Sequence, residues 1–544
     1  MKKYKKLLFG TVALSLALAS CTEKNPDSTV SSVSTSGQEN ISETDKTSGT
    51  GQSGNNGEKK NELDFHGITL NDIYLSQGTS RAPTTGTYKV LVLPIEFSGK
   101  NEAFRADYKE RIKNAFEGSS DKNSPDYTGY SESLKSFYQK SSYGKLNLDF
   151  VYADKYQVGM TSKNWYNSPD AQAKNGEEQD YDYGSHLLKK AYDNYTKNNT
   201  IDKDCDSDKD GYIDATIMVY STKDYSIDSK NKKFDKVGYY WAYCYNATAF
   251  DSNTWAFVPD ENTPIPDNYM FLSYDMLWDN NDNSNNGQPK SDYHTVVHEY
   301  GHMLGLDDYY GETDEDFGSY NPMGGVVMQD YNICDHDAFS KTQFGWTDVN
   351  YVTTSTTITI KALNTSGQTI IIPTNNGNGT LWDEYIQIEL YNPTGLNELD
   401  SKTAYGDTLG LSKAGIKVYH IDNRLYYFDG EDDSKYGYVD LKKDVFDIED
   451  NYYLVAASNC QKLGSEYVPD EYNLCQMIQA EGYDTFRAGT ATNDDLFQTG
   501  SVFDPLKFTD YFKNGKGNNG ADFNFTVEFV KVSAEEATVK ITFR

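Results

Sequence analysis

Between residues 87 and 350 the apolar positions follow two periods. Residues 89–97 (KVLVLPIEF) form a continuous, β-branched run, which predicts a central strand. Residues 130–144 (YSESLKSFYQKSSYG) carry apolar side chains at helical spacing and end at Gly144, and residues 146–152 (LNLDFVY) alternate as a strand does. A helix is predicted over 185–195 and strands over 215–220 (ATIMVY) and 239–243 (YYWAY). Residues 291–304 then predict a helix opened by a Ser/Asp cap and closed by Gly305. Helices mixed with strands predict an α/β or α+β domain over residues 87–350.

After Trp346 the pattern changes. Residues 356–360, 369–372, 385–391, 415–421, 452–457 and 537–543 all read as short strands separated by turn formers. Such a run predicts an all-β region over residues 351–544, a β-sandwich built as one module or two. No internal repeat is visible.

Composition narrows the function classes. The chain has 544 residues, which points to two or three domains. Its net charge is −32, with 82 acidic residues against 50 basic ones. That excludes the basic footprint a nucleic-acid partner needs, and binding to anionic lipid through protein charge. The 45 tyrosines suit β-rich architecture with wet surfaces.

The first 20 residues are an export signal rather than fold: Lys2, Lys3, Lys5 and Lys6 precede a short apolar stretch over 7–18, too short to span a bilayer comfortably. The stretch ends Leu18-Ala19-Ser20-Cys21, which resembles a bacterial lipobox. That resemblance implies cleavage before Cys21, a lipid on its sulfur and a place on the cell surface, with shedding or secretion as the alternative. Residues 21–61 are rich in Ser, Thr, Gly and Asn and read as a disordered tether. Residues 62–86 form a short pre-domain segment, long enough only for a small clamp over a site. Of the other five cysteines, Cys460 and Cys475 are close enough in sequence to pair, and no zinc-type Cys pair is present.

His298-Glu299-Tyr300-Gly301-His302 carries the most specific chemistry. Two histidines four apart share one helix face, so both imidazoles can reach one zinc ion. Glu299 lies beside the first of them, where its carboxylate can take the proton of a water that zinc acidifies. A chain with only seven histidines makes this pentad a poor candidate for chance. Gly305 can adopt the left-handed conformation that turns the chain back. Asp308, three residues on, is then placed as third ligand, with adjacent Asp307, and more distantly Glu312 or Asp314, as alternatives. His294 lies one turn before His298. A packing role is the simpler reading for it, as for His336 and His420.

The segment HEYGHMLGLDDYY resembles the signature of the immune inhibitor A-like metallopeptidases, whose usual form has Pro where this chain has Asp307. The resemblance extends to NPMGGVVMQDYNICDHDAFSKTQFGW over 321–346, to KVLVLPIEFSG, SFYQKSSYGKL, EYIQIELYNPTGLNELDS and GIKVYHIDNRL, and so covers most of residues 87–425. It implies a metzincin-like α+β catalytic domain with a trailing β-sandwich and an endopeptidase acting through one catalytic zinc on His298, His302 and Asp308. It also implies a Met-turn beneath the metal. Met323 and Met328 compete for that place, and the family pattern favours Met328.

A second metal is predicted elsewhere. Asp206, Asp208 and Asp210 alternate, Gly211 permits a sharp turn, Tyr212 offers a carbonyl and Asp214 completes the set. This matches the first part of an EF-hand-type loop, but Ile217 stands at the twelfth position and a strand follows. The expectation is a structural calcium ion, since carboxylates this close repel without a cation.

Two functions remain open to the sequence. One is a monomeric, surface-anchored endopeptidase acting on proteins or glycoproteins. The other is a surface binding protein or adhesin that keeps a peptidase-like fold without turnover. An inactive relative would often have lost Glu299 or a ligand, and none is lost here.

Overall fold

The computed structural model describes residues 68–118, 132–168, 173–175, 178–180, 183–222, 240, 242–247, 263–279, 290–291, 294–309, 334–399, 401–402, 410–432, 434–444, 446–448, 451–460, 463–486 and 491–544. It is a mixed α+β molecule. The export signal, Cys21 and the tether over 21–61 lie outside the described residues, as do Glu312, Asp314, Met323 and Met328.

The first sheet is built from β1 (Gly86–Glu96), β2 (Leu146–Tyr152), β3 (Thr216–Tyr220), β4 (Tyr243–Asn246) and β5 (Asn268–Ser273). Its order is β2-β1-β3-β5-β4, parallel except for β4, which runs antiparallel to β5. Both faces are covered, which is why β1 reads as an unbroken apolar run rather than an alternation. Val90 and Val92 point into one core, with α2 (Tyr108–Glu117), α3 (Leu134–Ser141) and α5 (His294–Met303). Leu91, Leu93 and Ile95 point into the other, against α4 (Tyr183–Thr196). The strand expected over 239–243 is observed at Tyr243–Asn246, where Tyr243, Cys244 and Tyr245 pair with Phe271, Met270 and Tyr269.

Residues 68–86 hold α1 (Leu70–Ser76), opened by a capping box from Thr69 to Asp72. Ile68, Leu70 and Ile73 bury into the same core as α5. Trp346 Nε1 donates to Thr84 O at 2.8 Å, and Trp382 Nε1 to Ile68 O at 3.1 Å. The segment is thus built into the molecule rather than laid over it.

Beyond α6 (Ala338–Gln343), the described regular elements are mostly strands: β6 (Asp348–Tyr351), β7 (Thr356–Lys361), β8 (Gln368–Pro373), β9 (Glu384–Tyr391), β10 (Gly415–Asp422), β11 (Leu425–Asp429), β12 (Tyr436–Tyr438), β13 (Asn451–Val455), β14 (Cys475–Ile478), β15 (Val502–Phe503), β16 (Phe525–Val532) and β17 (Glu536–Phe543). They form sheets β6-β8-β9-β10-β14, β7-β17-β16-β15 and β12-β11-β13. The first two share an apolar core: Ile370, Ile372, Ile386, Ile388 and Val418 face Val527, Phe529, Val539 and Ile541. The opposite face of β8-β9-β10 presents Ile371, Tyr385, Tyr419 and Ile421, and these pack with Phe339 of α6 and with Tyr309, the residue after Asp308.

Candidate metal centre

Helix α5 is enclosed on nearly every side: its residues other than Thr295 are buried, the polar His294, His298, Glu299 and His302 included. Neighbouring tyrosines fix it in the core: Tyr138 Oη donates to Val297 O at 2.8 Å, and Tyr300 Oη pairs with Tyr88 Oη at 2.8 Å. At its end Gly305 N–H bonds His302 O at 2.9 Å and Leu306 N–H bonds Gly301 O at 3.0 Å, a Schellman closure. Gly305 sits at φ +103°, and an added Cβ would lie 2.8 Å from Leu70 Cδ2 and 2.9 Å from Tyr74 Cε2. Both the conformation and the space demand glycine there. The remaining carbonyls at this end are used as well. Met303 O accepts from Asn268 Nδ2 at 2.8 Å and from Ala82 N–H at 2.9 Å, and Gly305 O accepts from Tyr74 Oη at 3.1 Å.

The turn after Gly305 delivers Asp308 to the histidines. His298 Nε2 and His302 Nε2 are 3.1 Å apart, and Asp308 Oδ1 lies 3.4 Å from the first and 3.3 Å from the second. All three residues are buried, Asp308 with 1% exposure. A tetrahedral zinc with bonds of ~2.0–2.1 Å separates its ligand atoms by roughly 3.3 Å, so this near-equilateral triangle fits the donor spacing of such an ion. The donor set of two imidazoles and one carboxylate fits as well, leaving one position for a small molecule.

Electrostatics point the same way. His302 Nδ1 lies 2.9 Å from Leu306 O, and since a carbonyl only accepts, Nδ1 carries a proton, which leaves Nε2 as the ring atom that faces the triangle. Burial lowers the His302 pKa, but Asp308 outweighs it and raises the group to about 10. Burial also pushes Glu299 up to about 8, against the pull of His302 and with a push from Asp308. Glu299 Oε2 is buried with no hydrogen-bond partner among the described residues. Such an orphaned carboxylate oxygen beside three converging ligand atoms is costly to hold unless something else binds there.

Asp307 is used differently. Its Oδ2 accepts from Ser458 Oγ at 2.6 Å, and it does not join the group of atoms that could hold an ion. His294 is buried in the first turn of α5, and it too lies outside that group. His336 packs among Phe137, Tyr138, Phe344 and Trp346, with Nδ1 2.7 Å from Ser141 Oγ, and burial lowers its pKa well below the ordinary value. His420 Nε2 lies 2.8 Å from Glu384 Oε1, far along β10.

In the acidic loop, ligand oxygens of Asp206, Asp208 and Asp210 lie within 4.8 Å of one another. Lys209 at φ 65° and Gly211 at φ 89° supply the sharp turn. Asp214 is buried and accepts from Ser207 N–H at 3.0 Å, which closes the loop without bringing this residue into the cluster. Tyr212 N–H donates to Asp210 Oδ1 at 2.8 Å. Burial, then the neighbouring Asp208 and Asp206, push Asp214 up to about 7. Asp206 Oδ1 has no hydrogen-bond partner among the described residues. None of Cys205, Cys244, Cys334, Cys460 or Cys475 is in a disulfide, so the Cys460–Cys475 pairing is not formed.

Sequence reasoning missed the groups that hold these side chains in place: Leu306 O, Tyr74, Ser458 and Asn459. No spacing signals them, because each acts through a backbone carbonyl or across a long stretch of chain. No family model matches this chain, and no curated protein matches it.

Proposed function

We propose that this chain is a zinc metalloendopeptidase, with His298, His302 and Asp308 as the residues that hold the ion and Glu299 as general base. The observation that carries the reading is the buried triangle of Nε2, Nε2 and Oδ1 atoms with edges of 3.1, 3.3 and 3.4 Å. When bound, zinc supplies Lewis acidity to a water and to the scissile carbonyl. The chain's own part is to keep the two imidazoles and the carboxylate converged, with Leu306 O fixing the tautomer of His302. Glu299 takes the proton of the attacking water as its ionised carboxylate, the form that a nearby dication favours over the protonated one that burial favours, and its unsatisfied Oε2 is available to do so. The same carboxylic acid can then return the proton to the leaving amine.

The wider assignment rests on the same reading. The resemblance to the immune inhibitor A-like family supports a metzincin-like domain over 87–350 with a Met-turn at Met328 and a β-sandwich over 351–544. The two sheets that share a core after residue 350 support the last point. Protein or glycoprotein substrates follow from the reaction class, and surface anchoring through Cys21 from the export signal. Among the described residues no helix is long and apolar enough to cross a membrane. A structural calcium at Asp206, Asp208 and Asp210, with Tyr212 and Asp214 completing the loop, belongs to the same proposal.

The test compares the full chain with Glu299→Gln. One zinc per chain, cleavage of denatured casein that a chelator abolishes, and a variant that keeps zinc while cleavage falls ~10²–10⁴-fold are expected. A wild-type protein that takes up no zinc under metal-replete conditions would overturn the proposal.

A further inference from the structure

The residue that completes the triangle sits within residues 306–309, which have no regular secondary structure, and the residues on both sides of it are held by chain from far away. Ser458 Oγ donates to Asp307 Oδ2 at 2.6 Å, and Asn459 Nδ2 donates to Tyr309 O at 2.7 Å. The two donors are adjacent, and their acceptors flank Asp308. Each pair spans about 150 residues of chain.

These donors are themselves rigidly placed. Asn459 is 1% exposed. Its amide also donates to Cys475 O at 2.8 Å and accepts from Cys475 N–H at 3.1 Å, so it copies a strand partner at the start of β14. Both of its N–H groups and its oxygen are thereby occupied in one orientation. Ser458 Oγ accepts from Cys460 N–H at 3.1 Å, which directs its own proton to Asp307. Tyr309 is buried in the core formed with β8, β9 and β10, so the carbonyl that Asn459 grips cannot wander.

We infer that Ser458 and Asn459 are positioning residues for the metal site: they fix the residues on either side of Asp308 and so fix where its carboxylate meets His298 and His302. The inference rests on the zinc reading and extends it. It makes the region after residue 350 a structural part of the metal centre, not an appended binding module. A ligand carried by a loop converges only if the loop's alternatives are removed before the ion arrives, and groups that orient ligands are worth about 10- to 100-fold in metal affinity.

The experiment measures zinc dissociation constants of the full chain by competition with a chelating indicator, and thermal unfolding of the metal-free protein alongside. Ser458→Ala deletes one hydroxyl and no sheet partner, so it carries the test even where Asn459→Ala fails to fold. Ser458→Ala is expected to weaken zinc by about tenfold, and Ser458→Thr to restore it. Tyr472→Phe, which removes a hydrogen bond to Asn518 O in the same region, is expected to leave zinc affinity unchanged. Unchanged affinity in Ser458→Ala, or an equal loss in Tyr472→Phe, would overturn the inference while leaving the zinc reading standing. Absence of zinc from the wild-type chain would overturn both.

Discussion

At the scale of single residues, the proposed metal centre separates two neighbouring aspartates by what each one meets. Asp308 is buried against two imidazoles, whereas Asp307 turns its carboxylate to Ser458. Asp308→Ala is therefore expected to lose zinc, while Asp307→Asn, which keeps an acceptor for Ser458, retains it. Metal content after dialysis, measured for the two variants side by side, decides this, and the reverse pattern would make Asp307 the ligand. Gly305 is the second residue on which the site depends. Gly305→Ala must take a φ of +103° and press a methyl against Leu70 and Tyr74. The expected cost is about 1–3 kcal/mol, read from denaturant unfolding of the metal-free protein.

The acidic loop is the element whose behaviour depends most on solution conditions. Asp214 and Asp210 are each raised from 3.8 to about 7, chiefly by burial and then by neighbouring carboxylates. A raised carboxylate favours the folded state while protonated. That contribution is fully present below the ordinary pKa and is lost as pH rises through about 7. A cation in the loop would offset the loss by compensating the ionised groups. The gain in melting temperature on adding calcium to chelator-treated protein is thus expected to be near zero at pH 4 and to grow up to pH 7.5. A flat, negligible gain across that range would leave the loop as a solvated acidic turn.

On the scale of the whole molecule, the region around α5 is a meeting point of segments distant in sequence. Helix α1 packs on Gly305 and also bonds β13, where Ser76 Oγ accepts from Tyr453 N–H at 2.9 Å and Gln77 Nε2 donates to Tyr453 O at 2.8 Å. Residues 68–86, α5 and β13 therefore brace one another. Ile73 is 2% exposed in the shared core. Ile73→Ala is expected to cost about 2–5 kcal/mol in global unfolding, a core cavity's worth, where a removable clamp over a site would lose almost nothing.

Much of this was legible before folding was considered. The periods over 146–152 and 415–421 match the observed Leu146–Tyr152 and Gly415–Asp422 strands closely, because burial on one or both sheet faces imposes its own spacing on the chain. His298 and His302 follow from helix geometry alone, as does the need for a turn at Gly305, since these relations are local. Helix α1 was not legible: it is seven residues long, and its stability comes from packing on Gly305 and β13 rather than from its own pattern. The spacing after Gly305 already favoured Asp308 over Asp307, but what occupies Asp307 instead, and the grip of Ser458 and Asn459 around the pair, were likewise decided only in three dimensions. Sequence records which groups each residue can offer, but hydrogen bonds across about 150 residues depend on where the sheets bring the chain back, and no local rule encodes that return.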